Sequence, residues 1–493
     1  MNIKKIKTLG DLKAAKYQPL SVKDELRKNL IDALKGNTDV FNGILGFEDT
    51  VIPDMERAIL SRHNILFLGL RGQAKTRIAR MMVHLLDEYV PVVAGSELND
   101  DPMQPLSRFA LDLIKEKGDD TPVEWMHRDD RYVEKLATPD VSVADLIGDV
   151  DPIKAATLKL PYSDERVIHF GLIPRAHRCI FVINELPDLQ ARIQVSLFNI
   201  LQEGDIQIRG FKLRLPLDVS FVFTANPEDY TNRGSIITPL KDRIESQILT
   251  HYPNTIDIAR KITEQEARIT KEQGKSIEVP EIMKDLLERV SFVARESEFI
   301  DEKSGVSARL SISAYEQMVS AAERRLLINK EKKGKVHISD LCQIVPAITG
   351  KVELVYEGEQ EGAFSVAQTL IDKAIQEEFL LHFPDPEKLK KKGDRDPYEV
   401  IRTWFGAGNE VSLRGDLSDK KYKETLDSVQ GLKRMVAQVK DLPKADTYVY
   451  MELCLHGLSS FNVLSKEIIN ANTSFSDPLA NMWEDEDLGG NMN

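Results

Sequence analysis

Cysteine is scarce in this chain of 493 residues, and its three cysteines lie far apart. Cys179, Cys342 and Cys454 form no CxxC pair, which argues against a zinc site and against a disulfide framework. No apolar run approaches the roughly 18 residues of a membrane span, and the N-terminal MNIKKIKTLGDLKAAKY has no signal-peptide apolar stretch. We therefore expect a cytoplasmic protein without a membrane span.

Positive charge is also in deficit, since the formal net charge is −13. A chain of this charge has no bulk attraction to nucleic acid. The clearest basic run, Lys388 to Arg395, is interpreted as a solvated loop, and no helix-turn-helix pattern is present. We expect no nucleic-acid partner, and salt-dependent DNA binding would favour the alternative of a DNA-acting protein.

The order of apolar patterns predicts an α/β protein followed by helices. Strand and helix patterns alternate up to about residue 252, and helical patterns alone follow, which marks a second domain. The predicted domains are an N-terminal helical segment (1–40), an α/β core with a parallel sheet and hairpin insertions (41–252), a helical lid domain (253–354) and a helical C-terminal region (355–493). We expect the acidic tail of the last region to be disordered.

The stretch ILFLGLRGQAKT, Ile65 to Thr76, has the order strand, glycine loop, helix. In a phosphate-binding P-loop, the N–H groups of such a loop surround polyphosphate oxygens. The lysine contacts the β/γ-phosphates and the threonine hydroxyl contacts Mg²⁺. The candidate cofactor-binding residues are Gly69, Arg71, Gly72, Gln73, Ala74, Lys75, Thr76 and Arg77. The alternative is a chance Lys-Thr pair after a glycine turn.

Ala74 stands where the P-loop pattern has its second glycine. Alanine is tolerated there if the backbone φ is ordinary, and it is costly if φ is positive.

Further polar residues follow in the order that a phosphoryl-transfer site requires. The apolar strand CIFVINE ends in Asn184 and Glu185, and VFTAN ends in Asn226. Arg243 in PLKDRIE and Arg309 in SARLS can each stabilise γ-phosphate charge. Simpler roles stay open: a helix N-cap for Glu185, a turn for Asn226, a surface ion pair for Arg243, a solvent-facing position for Arg309 and a structural role for His177.

Taken together, GLRGQAKT, VINE, TANPEDY, PLKDRIE and SGVSARLS resemble the AAA+ ATPases. DLIGDVDP, FGLIPRAHRCIFVINELPDL and the hairpin QIRGFKLRLP are similar to the branch that holds the magnesium-chelatase I subunit and the MoxR proteins. The resemblance covers about residues 40–350. It implies ATP and Mg²⁺ as cofactors.

The resemblance also implies a role for each matching residue. Glu185 becomes the catalytic base, Asn226 becomes sensor 1 and Arg309 becomes sensor 2. Arg243 becomes an arginine finger offered to a neighbouring subunit, which implies a ring, and the family ring is a hexamer.

Asn184 departs from the family pattern, which has Asp at this position. Asp places a negative charge in the second shell of Mg²⁺, whereas Asn offers a neutral carbonyl. The candidate metal residues are Thr76, which contacts Mg²⁺, and Asn184, which acts on it indirectly. We therefore expect ATP binding with slow hydrolysis, and we expect Asn184→Asp to raise the rate.

The function implied is an ATPase that remodels a protein partner, either as a magnesium-chelatase motor or as a MoxR-like chaperone. A partner with a von Willebrand A domain must be a separate protein, since the chain has no D-x-S-x-S motif. The insertions at about 149–170 and 206–216 are the predicted contact surfaces. The alternative is a nucleotide-binding ring scaffold that hardly hydrolyses ATP.

Overall fold

The computed structural model describes residues 3–162, 164–208, 214–227, 234–392, 396–469 and 472–478. The chain divides into two compact units, Met1–His251 and Tyr252–Asn493. The end of the predicted acidic tail, beyond residue 478, lies outside the described residues, as do the last three residues of the Lys388–Arg395 run. The first five residues of that run belong to the helix Pro386–Lys392, so they do not form the predicted loop.

A five-stranded parallel sheet forms the centre of the first unit. Its strands are β1 (Ile65–Leu68), β2 (Tyr132–Leu136), β3 (Cys179–Asn184), β4 (Val219–Ala225) and β5 (Ser246–Leu249). They lie in the order β5-β1-β4-β3-β2. This sheet and its helices confirm the predicted α/β core.

The central strands are apolar throughout because both faces of the sheet are covered. Leu66 and Phe181 belong to the core on one face, and Phe67 and Val182 belong to the core on the other. Side chains alternate between faces along a strand, so a sheet buried on both sides needs unbroken apolar runs. The runs ILFL and CIFVIN meet this condition.

Helices and short strand pairs surround this sheet. The helices are Leu9–Ala14, Val22–Lys35, Val51–Leu60, Lys75–Met81, Arg108–Lys117, Val143–Leu146, Pro152–Leu158, Leu172–Arg175, Ala191–Ser196, Phe198–Glu203 and Thr238–Lys241. Tyr89–Val93 pairs with Val123–His127. The two predicted hairpin insertions are confirmed in their described parts: Gly148–Val150 pairs with Ile168–Phe170, and Asp205–Gln207 pairs with Arg214–Pro216.

The second unit is mainly helical. Its helices are Ile256–Glu266, Lys271–Ser276, Glu281–Arg295, Arg309–Asn329, Ile338–Leu341, Val345–Thr349, Tyr356–Glu361, Ala363–His382, Pro386–Lys392, Glu399–Gly406, Asp419–Ser428, Leu432–Val436 and Thr447–Ser460. The two-residue strands Ile277–Glu278 and Gly334–Lys335 pair in parallel.

The C-terminal region is mainly helical, as predicted, and it also contains a small sheet that was not predicted. Val411–Arg414, Asn472–Ser476 and Ser465–Ile469 form a three-stranded antiparallel sheet. These strands are four or five residues long, too short for their alternation to stand out in the sequence.

The helix Thr447–Ser460 lies inside the second unit, and all of residues 449–458 are buried. The helix carries one carboxylate, Glu452, which accepts hydrogen bonds from the N–H groups of Ile338 and Ser339 and from the Tyr422 hydroxyl. Within the described parts of the chain, no helix is both long and apolar enough to cross a membrane.

Candidate functional site

The carboxyl ends of the sheet strands bring separate segments of the sequence together. Gly69 follows β1, Glu185 follows β3, Asn226 follows β4 and Thr250 follows β5. Because all five strands are parallel, these residues lie at one edge of the sheet. This edge is where open α/β sheets bind their ligands.

Gly69 is required by the close packing of the loop that follows β1. A Cβ atom at this position would collide with Thr250 Oγ1 and Gln73 Oε1. The Thr250 hydroxyl donates to Gln73 Oε1 at 2.7 Å, and this contact ties the loop to the end of β5. The loop is therefore anchored to the end of the neighbouring strand β5.

Ala74 has a left-handed backbone, with φ of 55° and ψ of 13°. A left-handed conformation costs an L-residue roughly 1–2 kcal/mol, and glycine escapes that penalty. Position 74 therefore has the positive φ that makes alanine costly there. The loop keeps the glycine geometry without the glycine.

Lys75 begins the helix after the loop, and its side chain is buried among oxygens. Its Nζ donates to the carbonyl of Gly69, to that of Leu70 at 2.9 Å and to Asn226 Oδ1 at 2.6 Å. An ammonium group carries three donors and no acceptor, so polyphosphate oxygens are suitable partners in the same place.

Asn226 joins Lys75 to Glu185. Its Oδ1 accepts from Lys75, and its Nδ2 donates to Glu185 Oε2 at 2.8 Å. An asparagine that only formed a turn would not need both ends of its amide in this bridge. The structure therefore connects Lys75 to the predicted catalytic carboxylate of Glu185 through one side chain.

Glu185 occupies a strained position at the end of β3. Its φ is 55°, and its N–H donates to Thr224 Oγ1 at 3.1 Å. Its side chain makes no capping hydrogen bond to the short helix that follows, which removes support from the N-cap alternative. Left-handed non-glycine residues persist where the surroundings hold them, and they cluster at functional sites.

Thr76 and Asn184 lie side by side at the other end of this cluster. The hydroxyls of Thr76 and Thr224 contact Asn184 Oδ1 at 3.3 Å and 3.1 Å. Hydroxyl and amide oxygens are the kind of ligand that Mg²⁺ accepts, directly or through water. The oxygen donors therefore fit Mg²⁺, and Lys75 with the loop N–H groups fits the phosphates of ATP.

Glu134 on β2 belongs to the same cluster and was not predicted from the sequence. Its carboxylate accepts from Asn184 Nδ2 at 2.6 Å and from the Tyr132 hydroxyl at 3.1 Å. Arg80 binds both of its oxygens, at 2.9 Å and 3.1 Å, and this pairing raises the pKa of Arg80. Burial, followed by the charge of Glu134, raises the pKa of Tyr132.

Arg71 and Arg77 flank the loop, and Arg77 is exposed. Arg243 contacts its own chain: its guanidinium donates to Gln202 Oε1 at 2.9 Å and lies 4.7 Å from the centre of the Phe198 ring. Arg309 begins the helix Arg309–Asn329 of the second unit and is exposed. The catalytic roles of Arg243 and Arg309 stay predictions, as do the cofactor-binding roles of Arg71 and Arg77.

His177 is a structural residue, in agreement with the simpler role. Its Nδ1 accepts the N–H of Asp218 at 3.0 Å, and burial lowers its pKa to about 4. The imidazole is therefore neutral near pH 7.

No family model matches this sequence. Among solved structures, the chain is similar to a Cytophaga hutchinsonii protein named for a proposed ATPase activity (16% identity, 74% of this chain, 98% of that chain, TM-score 0.28). It is also similar to the BchI–BchD complex of magnesium chelatase (19% identity, 64% of this chain, 97% of that chain, TM-score 0.33). A third similar structure is Hsp104 with ATPγS and casein (15% identity, 63% of this chain, 50% of that chain, TM-score 0.37). All three TM-scores lie below 0.5, so the functional proposal stands on the geometry of the site.

Proposed function

We propose that this chain is an AAA+ ATPase of the magnesium-chelatase and MoxR branch that uses ATP binding and hydrolysis to remodel a protein partner. The observation that carries this proposal is the bridge from Lys75 through Asn226 to Glu185. Three motifs that are far apart in the sequence meet at one sheet edge, in the arrangement that phosphoryl transfer needs.

Each residue of the cluster has a defined task in this reaction. Lys75 and the loop N–H groups bind the β- and γ-phosphates, and Thr76 with Asn184 would hold Mg²⁺. When bound, Mg²⁺ neutralises charge on the phosphate oxygens. Glu185 accepts the proton of the attacking water, and Asn226 positions the water or the γ-phosphate by uncharged hydrogen bonds.

A nucleotide-binding measurement tests the first half of the proposal. Lys75→Ala should weaken binding of a fluorescent ATP analogue by at least about tenfold, the usual size for losing a charge-assisted hydrogen bond. The exposed Lys115→Ala in the helix Arg108–Lys117 is the control and should bind normally. Equal affinity of both variants would contradict the assignment of the loop.

The proposed finger role of Arg243 requires a subunit ring, and a mixing experiment tests it. Arg243 and Glu185 lie on different subunits at each shared site in that arrangement. Arg243→Ala and Glu185→Gln should each be inactive alone, and a mixture of the two proteins should recover turnover at the interfaces that combine one intact residue of each kind. A mixture as inactive as its components would argue against action in trans.

The proposed contact surface for a partner is the first hairpin insertion, at about 149–170. The partner that we favour is a separate protein with a von Willebrand A domain. Three large side chains project from the insertion: Ile153, Leu158 and Tyr162 are 78%, 51% and 63% exposed. Exposed apolar side chains that lie within about ten residues of one another along a single insertion favour a protein contact. Ile153→Asp should weaken ATP-dependent capture of the partner and leave nucleotide binding unchanged.

The scaffold that binds ATP without turnover remains the second candidate, and the observation that favours it is Asn184 in place of an acid.

A further inference from the structure

The neutral residue Asn184 is hydrogen-bonded directly to an acid on the neighbouring strand. Asn184 Oδ1 contacts the hydroxyls of Thr76 and Thr224, while Nδ2 points to Glu134 Oε1 at 2.6 Å. A carboxylate only accepts hydrogen bonds, so the amide nitrogen must face Glu134 and the carbonyl oxygen must face Thr76. The orientation of Asn184 is therefore set by Glu134.

We propose that Glu134 supplies, through the Asn184 amide, the negative charge that Asn184 lacks at the Mg²⁺ side of the nucleotide site. This role rests on the proposed ATP-binding function. The hydrogen bond from Nδ2 to the carboxylate polarises the amide, and Oδ1 thereby becomes a stronger acceptor on the Thr76 side. Glu134 is a positioning residue in this account, since it acts through Asn184.

The size of the effect follows from distance. Two unit charges at about 7 Å keep somewhat more than half of the interaction energy that they have at about 4 Å in the same medium. An acid that lies one hydrogen bond farther from Mg²⁺ should therefore strengthen Mg²⁺ binding less than an acid at position 184 would, but it should still strengthen it.

The competing explanation is that Glu134 only pairs with Arg80. The Arg80 side chain is 63% exposed, whereas Glu134 is 23% exposed. An ion pair with so exposed a partner contributes little to stability, and solvent screens the positive charge of Arg80. Because solvent screens part of the Arg80 charge, Glu134 keeps an effect on the buried side, where Asn184 lies.

This geometry changes the expectation for Asn184→Asp. An aspartate would place a carboxylate oxygen where Nδ2 now donates, 2.6 Å from Glu134 Oε1. Two groups that only accept would then face each other, and they would repel. We now expect the acid at position 184 to strengthen Mg²⁺ binding only when Glu134 is neutralised.

The test is the Mg²⁺ dependence of nucleotide binding in the full chain. The dissociation constant of a fluorescent ATP analogue is measured in EDTA and across a Mg²⁺ titration, for the wild type and for Glu134→Gln, Arg80→Gln, Asn184→Asp and the double variant Glu134→Gln/Asn184→Asp. Affinity in EDTA reports an intact loop, and the ratio of the two affinities reports the charge beside Mg²⁺.

Glu134→Gln should keep its affinity in EDTA and lose roughly tenfold to a hundredfold in Mg²⁺ affinity, as outer-shell partners of metal sites do. Arg80→Gln should bind Mg²⁺ as well as the wild type or better. The double variant should recover what Glu134→Gln loses and should exceed Asn184→Asp alone.

Normal Mg²⁺ affinity in Glu134→Gln would overturn the proposal. Equal losses in Glu134→Gln and Arg80→Gln, or no recovery in the double variant, would overturn it in favour of a structural ion pair. A wild type that binds no nucleotide in either condition would refute the proposed function itself, and with it the role of Glu134.

Discussion

The two units each contain a cluster of acids, hydroxyls and arginine, and the clusters differ in what their groups contact. In the second unit, Glu452 is fully buried, and both of its oxygens accept backbone N–H groups or the Tyr422 hydroxyl. In the first unit, Glu185 and Asn226 lie at a sheet edge and bind other side chains of the cluster.

The difference shows why burial and a shifted pKa do not identify a site by themselves. Burial raises the pKa of Glu452 to about 7, one of the large shifts in the described chain. Yet its partners are the first N–H groups of the helix Ile338–Leu341, which a helix needs satisfied for its own stability. The cluster at the sheet edge instead combines left-handed residues, Ala74 and Glu185, with a buried lysine.

The largest expected effect is on stability, from Glu452→Ala. The change leaves the buried N–H groups of Ile338 and Ser339 without an acceptor, at roughly 1–3 kcal/mol each, so the second unit should lose about 4 kcal/mol. The Tyr422 hydroxyl keeps an acceptor in the Tyr448 carbonyl. Hydrogen exchange over residues 447–460 measures the loss. The exposed Glu424→Ala is the control, and Glu185→Ala should also leave this exchange unchanged. If Glu185→Ala reduced the stability of the first unit as much as Glu452→Ala reduces that of the second, the two clusters would not differ in the way described.

Second in size are opposite pH dependences. The pKa of Glu452 is raised from 4.5 to about 7, so its contribution is complete below pH 4.5 and is lost as pH rises through 7. The pKa of His177 is lowered from 6.5 to about 4, so its contribution is present above pH 6.5 and is lost as pH falls towards 4. Each amounts to about 3 kcal/mol at most.

Hydrogen exchange at several pH values separates the two contributions, since one group lies in each unit. Glu452→Gln should remove the loss between pH 4.5 and 7 from the second unit, and His177→Gln should remove the loss between pH 6.5 and 4 from the first. Profiles that the two substitutions leave unchanged would contradict the burial argument.

The smallest expected effect is from Ala74→Gly. Glycine relieves the left-handed strain, while its greater freedom in the unfolded chain offsets part of the gain, so the first unit should gain about 1 kcal/mol or less. Thermal unfolding measures it. Ala79→Gly, in the interior of the helix Lys75–Met81, is the control; because Ala79 is also buried, this change should destabilise by at least about 1 kcal/mol. Destabilisation by both changes would mean that position 74 is not strained.

The residues at the carboxyl ends of the strands are predictable from the sequence because each follows a recognisable local pattern. An apolar run that stops at a polar residue marks the carboxyl end of a buried strand, so Lys75, Glu185 and Asn226 could be assigned to one edge. Their contacts were not predictable, since the bridge through Asn226 depends on rotamers and on strand order.

Two other features, the place of Glu134 in the cluster and the positive φ of Ala74, could not be predicted from the sequence, for physical reasons. β2 is an edge strand of four half-buried residues and one exposed residue, with Glu134 and Lys135 in its middle, so its period-two pattern is weak. The alternation in RYVEKL was the available signal. The φ of Ala74 could not be inferred either, because alanine itself favours an ordinary backbone and only the fitted loop imposes the positive angle.

In the proposed function, Glu185 drives hydrolysis of the nucleotide that Lys75 binds. The most direct measurement is steady-state ATP hydrolysis at millimolar Mg²⁺, with analogue binding measured on the same samples. We predict slow turnover by the wild type, a loss of at least about a hundredfold in Glu185→Gln, and unchanged affinity in that variant. Tight binding with no wild-type turnover, or equal turnover in both proteins, would contradict the account and favour the scaffold.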